Sequence, residues 1–554
     1  MRNQLLFNYY NLNLFFTNKT NACYNKLGDD MKIIEAKEVA NLIQSNDTVA
    51  ITGCGGSCSP EALLKSIKDS YQENKIPKDL TVVTGISPGN LTEEMVGMNL
   101  LSEKGLVKKA ICAHLGMGKL FGKAVGENTF PAFGVPLGVL DHLLRAIASK
   151  EPGIITKTGL NTFADPRLEG CALNKKAQKE EPIVELVKIK KEEYLFYKSF
   201  PINVALIKAT YADEKGNISF EHEAVISEQF SMAACAHNNG GIVIVQVEDI
   251  KPYGSLKAKD CLINSKLVDY IIVSKPDVSL GDYNLPIYKP ELTGEVKTKV
   301  KIESGALNIR KVCARRSAME IKINDVINLG VGMPDMIAKI ASEEGFIDDI
   351  HLSIECGPMG GIPVGGVAFG ASINPDSIIS TADNFDLYDG GFLDIAILGL
   401  AQVDKYGNVN VSKFGTRVTG PGGFINITQS TKRIIFMGSF TAQGEKVDII
   451  DGKVKIIEEG KSKKFVKQVS QITFSSKFAL KNNLEVLFVT ERAVFKLVES
   501  GLELIEIAPG IDLQEDILNQ MEFKPLISKD LKLMDKRLFK PEIMHLKRDL
   551  KESK

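Results

Sequence analysis

Short runs of branched apolar residues recur along the chain, separated by polar and glycine-rich stretches. Examples are residues 241–247, 270–273, 394–398 and 433–437. Continuous apolar runs of this length are typical of parallel strands whose sheet is covered by helices on both faces. The pattern therefore predicts an α/β fold built on open, largely parallel sheets.

One longer pattern occurs twice: an apolar run enters a glycine turn and is followed by a helix that begins near a proline. The first copy spans residues 46–53 and continues at Pro60, and the second spans residues 324–330 and continues at Pro334. Proline is well suited to the first turn of a helix. Both copies therefore predict a strand, a glycine turn and a helix.

A second repeated pattern supports the first. An aspartate followed by Gly-Asn lies between apolar runs at residues 212–220 and again at 403–411, which is typical of a hairpin turn. Two repeats in the same order predict two tandem homologous α/β domains. Residues 275–302 hold several prolines, glycines and lysines without helical periodicity, and we interpret them as a linker.

These patterns give predicted boundaries for four segments. They are an N-terminal extension at 1–30, an N-terminal domain at 31–285, a linker at 286–305 and a C-terminal domain at 306–545.

The composition and net charge of the chain argue against nucleic acid and membranes as partners. The apolar fraction is 44% and the charged fraction 25%, as in soluble globular proteins. The formal net charge of −1 gives no electrostatic reason for binding nucleic acid or an anionic membrane. No apolar stretch approaches the ~20 residues that span a bilayer. We expect neither nucleic acid nor membrane as a partner.

Residues 1–30 differ from the rest because they are rich in Asn, Tyr and Phe. Their basic residues precede the first acid, Asp29, so a mitochondrial-type presequence is one interpretation. A true start at Met31 is another. We rank an untargeted extension first and expect a cytoplasmic protein, with the mitochondrial matrix as the alternative.

Metal sites are not indicated. The nine cysteines form no Cys-x-x-Cys pair, and Cys54 and Cys58 have no histidine nearby in sequence. We interpret the cysteines as reduced, mostly buried thiols. The histidines are not at metal-ligand spacing. The acidic string at residues 383–394 is interpreted as solvated or turn-forming. We expect no metal.

Glycine turns mark a candidate site. In open α/β sheets, ligands bind beyond the carboxyl ends of the strands. Glycine-rich turns occur at residues 53–56, 330–332, 356–366 and 420–424, and none matches a nucleotide-binding motif. Glu355 ends the apolar run that precedes the third turn. A carboxylate in a narrow glycine-walled site can act as a nucleophile, but a glutamate that merely accepts loop hydrogen bonds fits the same pattern.

An ordered series of motifs extends over most of the chain, from about residue 34 to 525. The motifs occupy residues 159–167, 193–197, 211–213, 240–243, 328–332, 353–366, 369–372, 388–391, 422–427 and 506–512. In this series the chain resembles the family I CoA-transferases, and within them the propionate/acetate CoA-transferase branch. The resemblance implies that both halves lie on one polypeptide and that Glu355 is the catalytic glutamate.

The resemblance also implies the reaction. CoA would move from a short-chain acyl-CoA to another short-chain carboxylic acid such as acetate, by a ping-pong route through a glutamyl-CoA thioester. The CoA thioester is a substrate, so no cofactor is expected, and the family implies a homo-oligomer. We predict that backbone N–H groups near Val331 and Gly422 stabilise the oxyanion.

Four positions depart from the family pattern. Leu137 stands where the family usually has Gln, and Asn161, Cys171 and Gln443 stand where it usually has Gly. We expect Leu137 and Asn161 to alter the acyl pocket or its entrance. Two alternatives to a CoA-transferase remain open: an acyl-CoA hydrolase on the same scaffold, and a non-catalytic metabolite-binding module.

Overall fold

The computed structural model describes residues 31–274, 288–300, 302 and 305–552. The extension at 1–30 lies outside the described residues, as does part of the predicted linker. The described linker residues 288–300 contain no helix or strand. The four segment boundaries stay a prediction.

The first half of the chain forms a sheet in which every pairing is parallel. Its strands, given from one edge to the other, are Lys32–Ile33, Tyr270–Val273, Ile242–Val247, Val204–Lys208, Thr48–Ile51, Leu80–Ile86, Val107–His114 and Ala132–Gly134.

The second half forms a mixed sheet. Its strands, again from edge to edge, are Ser377–Ile378, Pro358–Met359, His351–Ser353, Val326–Leu329, Ile395–Gly399, Arg433–Met437, Glu485–Val489, Ala493–Val498, Gly501–Ile507 and Leu526–Leu533. The central strands from His351–Ser353 to Glu485–Val489 are parallel, and antiparallel strands flank them.

Smaller sheets lie outside these two. Their strands are Asp249–Lys251, Tyr211–Asp213, Ile218–Ser219 and Cys261–Ile263; Gly153–Thr156, Glu192–Lys198 and Val184–Ile189; Val409–Asn410, Gln402–Asp404 and Phe465–Val466; Ile362–Pro363 and Ser372–Ile373; Lys413–Phe414 and Arg417–Val418; Thr441–Ala442 and Ser462–Lys463; and Lys446–Ile450 and Lys453–Glu458.

Helices accompany both large sheets. The α-helices of the described residues are Val39–Leu42, Glu61–Asn74, Lys119–Gly126, Leu137–Ala148, Gln229–Asn238, Ile309–Ala318, Met336–Glu343, Thr381–Asp389, Phe424–Ser430, Ser476–Lys481 and Leu546–Glu552. Within the part of the chain described here, no helix is both long and apolar enough to cross a membrane.

The predicted fold class is confirmed, because the structure is α/β with parallel sheets. The four apolar runs form strands Ile242–Val247, Tyr270–Val273, Ile395–Gly399 and Arg433–Met437, as predicted. They are strands rather than helices because their branched residues fill the buried interior of a sheet, where Val243, Ile244 and Val245 are fully buried.

Both repeated patterns have equivalent local structures. In the first, strands Thr48–Ile51 and Val326–Leu329 each precede a helical segment. In the second, Asp213 Oδ1 accepts hydrogen bonds from the N–H groups of Lys215 and Asn217, at 2.9 and 3.0 Å. In the same way, Asp404 Oδ1 accepts hydrogen bonds from the N–H groups of Tyr406 and Asn408. Each aspartate thereby holds a hairpin turn, as the sequence predicts.

Candidate active site

Glu355 lies two residues beyond the carboxyl end of strand His351–Ser353. Asn384, on helix Thr381–Asp389, donates from its Nδ2 to the carbonyl oxygens of Ile354 and Glu355, at 3.0 Å each. The backbone that carries Glu355 is therefore fixed by a buried side chain from the adjacent helix. The strand-end placement that the sequence predicts is confirmed.

Glu355 borders a cavity of about 380 Å³. The first half of the chain contributes residues at and just beyond the carboxyl ends of strands Leu80–Ile86 and Val107–His114. The second half contributes turns that the sequence predicts to bind a ligand. The lining residues include Ile86, His114, Met117, Asn328, Val331, Glu355, Phe369, Arg417, Gly422, Gly423 and Phe424. The cavity is therefore built by both halves, and Glu355, Val331 and Gly422 meet there.

Two glycines adjoin the Glu355 carboxylate, and one of them makes room for it. A Cβ on Gly423 would lie 2.3 Å from Glu355 Oε2 and 2.9 Å from the ring of Phe385. A Cβ on Gly422 would lie 4.0 Å from Glu355 Oε1, and Gly422 has a φ of 52°, where glycine is favoured. Gly423 therefore cannot carry a side chain without displacing Glu355.

The Glu355 carboxyl group has an altered acidity. Burial raises the pKa of this carboxyl group from its ordinary value of 4.5 to about 7. Among the described residues, none donates a hydrogen bond to its side-chain oxygens. The carboxylate is therefore poorly solvated when ionised, and part of it faces the cavity.

The two predicted oxyanion donors differ. Val331 is 56% exposed and lines the cavity, and its N–H has no acceptor in the described parts of the chain. The N–H of Gly422 donates to the carbonyl oxygen of Ala113 at 2.9 Å. Gly422 therefore meets Glu355 through its α-carbon, and its expected role as an amide donor has no support in this conformation. The role of Val331 stays a prediction.

His114 ends strand Val107–His114 and lines the cavity. Burial, followed by the positive charge of Arg417, lowers the pKa of His114 to about 4, so the ring is neutral at pH 7. Its Nδ1 is buried without a hydrogen-bond partner among the described residues. An unpaired acceptor costs less than an unpaired N–H, so we assign the proton to Nε2.

Two further carboxyl groups lie behind the site, on Asp141 and Glu228. Burial, then the charge of Glu228, holds the pKa of Asp141 well above its usual range, and Glu355 adds to this effect. Burial also raises the pKa of Glu228. Two adjacent buried carboxyl groups cannot both ionise easily, so each disfavours the charged form of the other.

Comparison with known proteins identifies the family. The profile of the coenzyme A transferase family matches residues 33–274. The caffeate CoA-transferase of Acetobacterium woodii is 48% identical over 514 residues, which cover 92% of this chain and 97% of that protein. The chain belongs to the coenzyme A transferase family. It is an enzyme that transfers CoA between an acyl-CoA and a carboxylate.

Further relatives of this CoA-transferase agree. The acetate CoA-transferase YdiF of Escherichia coli K12 is 40% identical over 518 residues, covering 93% of this chain and 96% of that protein. The crystal structure of the acyl-CoA transferase YdiF from Escherichia coli O157:H7, described as a thioester complex with CoA, matches with a TM-score of 0.87 at 39% identity. The match covers 93% of this chain and 97% of that chain.

The four departures from the family pattern have different consequences in this CoA-transferase. Asn161, Cys171 and Gln443 have φ values of 61°, 68° and 67°, so the backbone keeps a left-handed conformation where the family usually has glycine. None of the three lines the cavity at Glu355. Asn161 borders a separate cavity, so it does not line the site at Glu355, and its expected effect on the acyl pocket or its entrance stays a prediction.

Leu137 lies behind the site of this CoA-transferase. It is fully buried, does not line the cavity, and its N–H donates to the carbonyl oxygen of Gly422 at 2.9 Å. Leu137 is therefore hydrogen-bonded to the glycine turn that adjoins Glu355, and its expected effect on the acyl pocket stays a prediction.

Three site residues of this CoA-transferase were missed from sequence: His114, Asp141 and Glu228. The spacing of His114 does not indicate a metal ligand, but its place at the end of an apolar strand is a signal that identifies it. Asp141 lies in helix Leu137–Ala148 and Glu228 immediately precedes helix Gln229–Asn238, and neither segment has a sequence pattern that indicates a site. Within the described ranges, no group of three or more His, Cys, Asp or Glu side chains is arranged to hold a metal ion.

Proposed function

We propose that Glu355 is the nucleophile of the transfer. Its carboxylate attacks the thioester carbonyl and expels CoA thiolate, which leaves an acyl–glutamyl anhydride. The thiolate attacks the glutamyl carbonyl, expels the first acid and forms a glutamyl-CoA thioester. A second carboxylate reverses both steps, so no other reagent is consumed. The observation that carries this proposal is the Glu355 carboxyl group, which lies in the shared cavity without a hydrogen-bond donor among the described residues.

The environment of Glu355 suits this role. A carboxylate that has lost its water and has few donors keeps more of its nucleophilic strength, and a pKa of about 7 leaves a large ionised fraction at neutral pH. The apolar wall, which includes Met117, Phe369 and Phe424, excludes water that would hydrolyse the anhydride or thioester.

We propose that the neutral His114 ring contacts the substrate. Gly422 borders both groups, because a Cβ there would lie 3.8 Å from His114 Cδ2 and 4.0 Å from Glu355 Oε1. An Nε2–H donor in this position suits an oxygen that gains negative charge when Glu355 attacks. His114 would then supply what the Gly422 amide does not.

We propose a short-chain acyl-CoA and a short-chain carboxylic acid such as acetate as the substrates. The acetate CoA-transferase relative supports this choice. A hydroxycinnamic acid is the second candidate acceptor, because the caffeate CoA-transferase relative is 48% identical and the cavity wall contains Phe369 and Phe424. Comparing kcat/KM for acetate, propionate, butyrate and caffeate with acetyl-CoA as donor decides between the two classes.

The same assay tests transfer against its alternatives. We expect CoA transfer to a carboxylic acid to exceed release of the acyl group to water, as the names of the relatives support. Dominant hydrolysis would favour an acyl-CoA hydrolase. Ligand binding without turnover would favour a metabolite-binding module.

Glu355→Gln tests the nucleophile. The amide keeps the shape of the side chain but cannot attack, so we expect kcat to fall by at least about 1,000-fold. Circular dichroism and acyl-CoA binding serve as controls for folding. Retention of the parent rate in a folded Gln variant would reject the proposed role.

We further propose that the protein acts in the cytoplasm as a homo-oligomer that needs no cofactor beyond its CoA substrate. The mass of the native particle checks the homo-oligomer. Activity after dialysis against a chelator checks that no metal cofactor is needed.

A further inference from the structure

Two thiols meet directly beside Glu355. Cys54 follows strand Thr48–Ile51 of the first half, and Cys356 is the residue after Glu355 in the second half. Their Sγ atoms lie 3.2 Å apart although 302 positions separate them in sequence. Each residue is only 1% exposed. The contact therefore joins the two halves at the glutamate.

Gly370, which has no side chain, makes room for the two sulfur atoms. A Cβ on Gly370 would lie 2.5 Å from Cys54 Sγ and 3.2 Å from Cys356 Sγ. A disulfide has a sulfur–sulfur distance of about 2.05 Å, so a movement of about 1 Å would bring these sulfurs to bonding distance. The nearby Cys58 is turned elsewhere, since its Sγ donates to the carbonyl oxygen of Val225 at 3.2 Å.

We propose that Cys54 and Cys356 form a reversible disulfide when the enzyme meets a peroxide, and that this bond displaces Glu355. One thiol attacks hydrogen peroxide, cleaving the O–O bond, and becomes a sulfenic acid as the first water leaves. The second thiol attacks that sulfur, the S–S bond forms and a second water leaves. The thiols lose two protons and two electrons, and the peroxide is reduced.

A small oxidant can approach through the substrate cavity. Phe369 lines that cavity, and Cys54 Sγ donates to its carbonyl oxygen at 3.7 Å, so the pair lies one residue behind the wall. The contact with the Cys54 thiol, together with burial, raises the pKa of the Cys356 thiol. Ionisation of the Cys356 thiol is therefore disfavoured, and we expect its oxidation to be slower than that of an exposed cysteine and faster at higher pH.

The expected loss of activity on oxidation rests on the proposed role of Glu355 as the nucleophile. Formation of the disulfide does not depend on that role. Closing the bond draws Cys356 toward Cys54, and the adjacent Glu355 must move with it. A misplacement of about 1 Å can cost on the order of 100-fold in rate. We expect the oxidised enzyme to lose activity by about that factor and to regain it with dithiothreitol.

The test is peptide mapping of the full-length enzyme under non-reducing conditions after exposure to hydrogen peroxide. The expected result is a peptide pair linked through Cys54 and Cys356, formed in parallel with a loss of activity that dithiothreitol reverses. The Cys54→Ser variant should resist this reversible loss, and the Cys58→Ser variant should keep it.

The absence of that linked pair at full inactivation would overturn the proposal, as would equal reversible inactivation of Cys54→Ser. A disulfide that forms without loss of activity would overturn the displacement of Glu355. Because the mapping uses the parent enzyme, it decides the question even if a serine variant fails to fold. Failure of the nucleophile proposal appears separately, because no CoA adduct would then form on Glu355 in the reduced enzyme.

Discussion

At the scale of single residues, Glu355 determines how the reaction responds to pH. Burial raises the pKa of its carboxyl group to about 7, and only the ionised form attacks. We therefore expect kcat/KM to fall about tenfold for each pH unit below 7 and to level off above it. The profile is measured between about pH 6 and pH 8.5, where the acceptor acid stays ionised. A flat profile over this range would contradict the environment described for Glu355.

His114 provides the second prediction at this scale. The His114→Phe variant keeps an aromatic ring but removes the Nε2–H donor, so we expect kcat to fall by about 10- to 100-fold with little change in KM. The His114→Gln variant, which retains a donor, should recover part of the loss. Because the pKa of His114 is about 4, the pH dependence near 7 should be the same in His114→Gln and the parent. Equal rates for Phe and Gln variants would show that the ring only packs.

The residue scale also shows how far the sequence could predict this site. The pattern of a carboxylate between an apolar run and a glycine turn makes Glu355 a candidate, and the resemblance to the family I CoA-transferases implies its catalytic role. The commitment of the Gly422 N–H to Ala113 was not visible, because the direction of an amide in a turn depends on a contact 309 positions away. Asp141 and Glu228 were missed for the same reason, since their proximity is created only by folding.

At the scale of elements, the strands were predictable because buried parallel strands are continuously apolar. The short strands and hairpins, such as Lys413–Phe414 with Arg417–Val418, carry no comparable pattern. Asn161, Cys171 and Gln443 have left-handed backbone conformations although the family usually has glycine at these positions. The backbone conformation at these turns is therefore set by the surrounding fold and not by the preference of the residue.

Gln443 gives a test at this scale. It is exposed and has a φ of 67°, a conformation that costs a side-chain-bearing residue about 1 kcal/mol. We expect Gln443→Gly to raise the free energy of unfolding by about 0.5 kcal/mol, since the added flexibility of glycine offsets part of the relief. Denaturant titration measures the change.

Asn161 is the matched control for this test, with a φ of 61°. Asparagine tolerates the left-handed region, so Asn161→Gly should gain less stability or lose some. Equal gains at both positions would show that strain at Gln443 is not the cause.

At the scale of the whole molecule, the site is formed where the two halves meet. Burying the ionised carboxyl group of Glu355 there lowers the stability of the folded protein. The folded-state pKa of Glu355, about 7, exceeds its ordinary value of 4.5, so the folded state binds more protons between these values. Stability from this group is therefore full below pH 4.5, decreases as pH rises to 7, and is constant above.

Replacing Glu355 with Gln should remove this penalty. We expect the free energy of unfolding of Glu355→Gln to exceed that of the parent by about 1–3 kcal/mol at pH 8, after allowance for the part of the carboxylate that faces the cavity. The advantage should shrink as pH falls toward 5. Urea titrations of both proteins at pH 5, 7 and 8 measure it, and a difference that does not change with pH would contradict the assigned pKa.

The most direct test of the central claim is the mass of the peptide that carries Glu355 after incubation of the reduced enzyme with acyl-CoA alone. The account predicts a CoA thioester on Glu355, which is lost when a carboxylic acid acceptor is added and is absent from Glu355→Gln. An active enzyme that turns over with Glu355 unmodified, or that carries CoA on another residue, would contradict it.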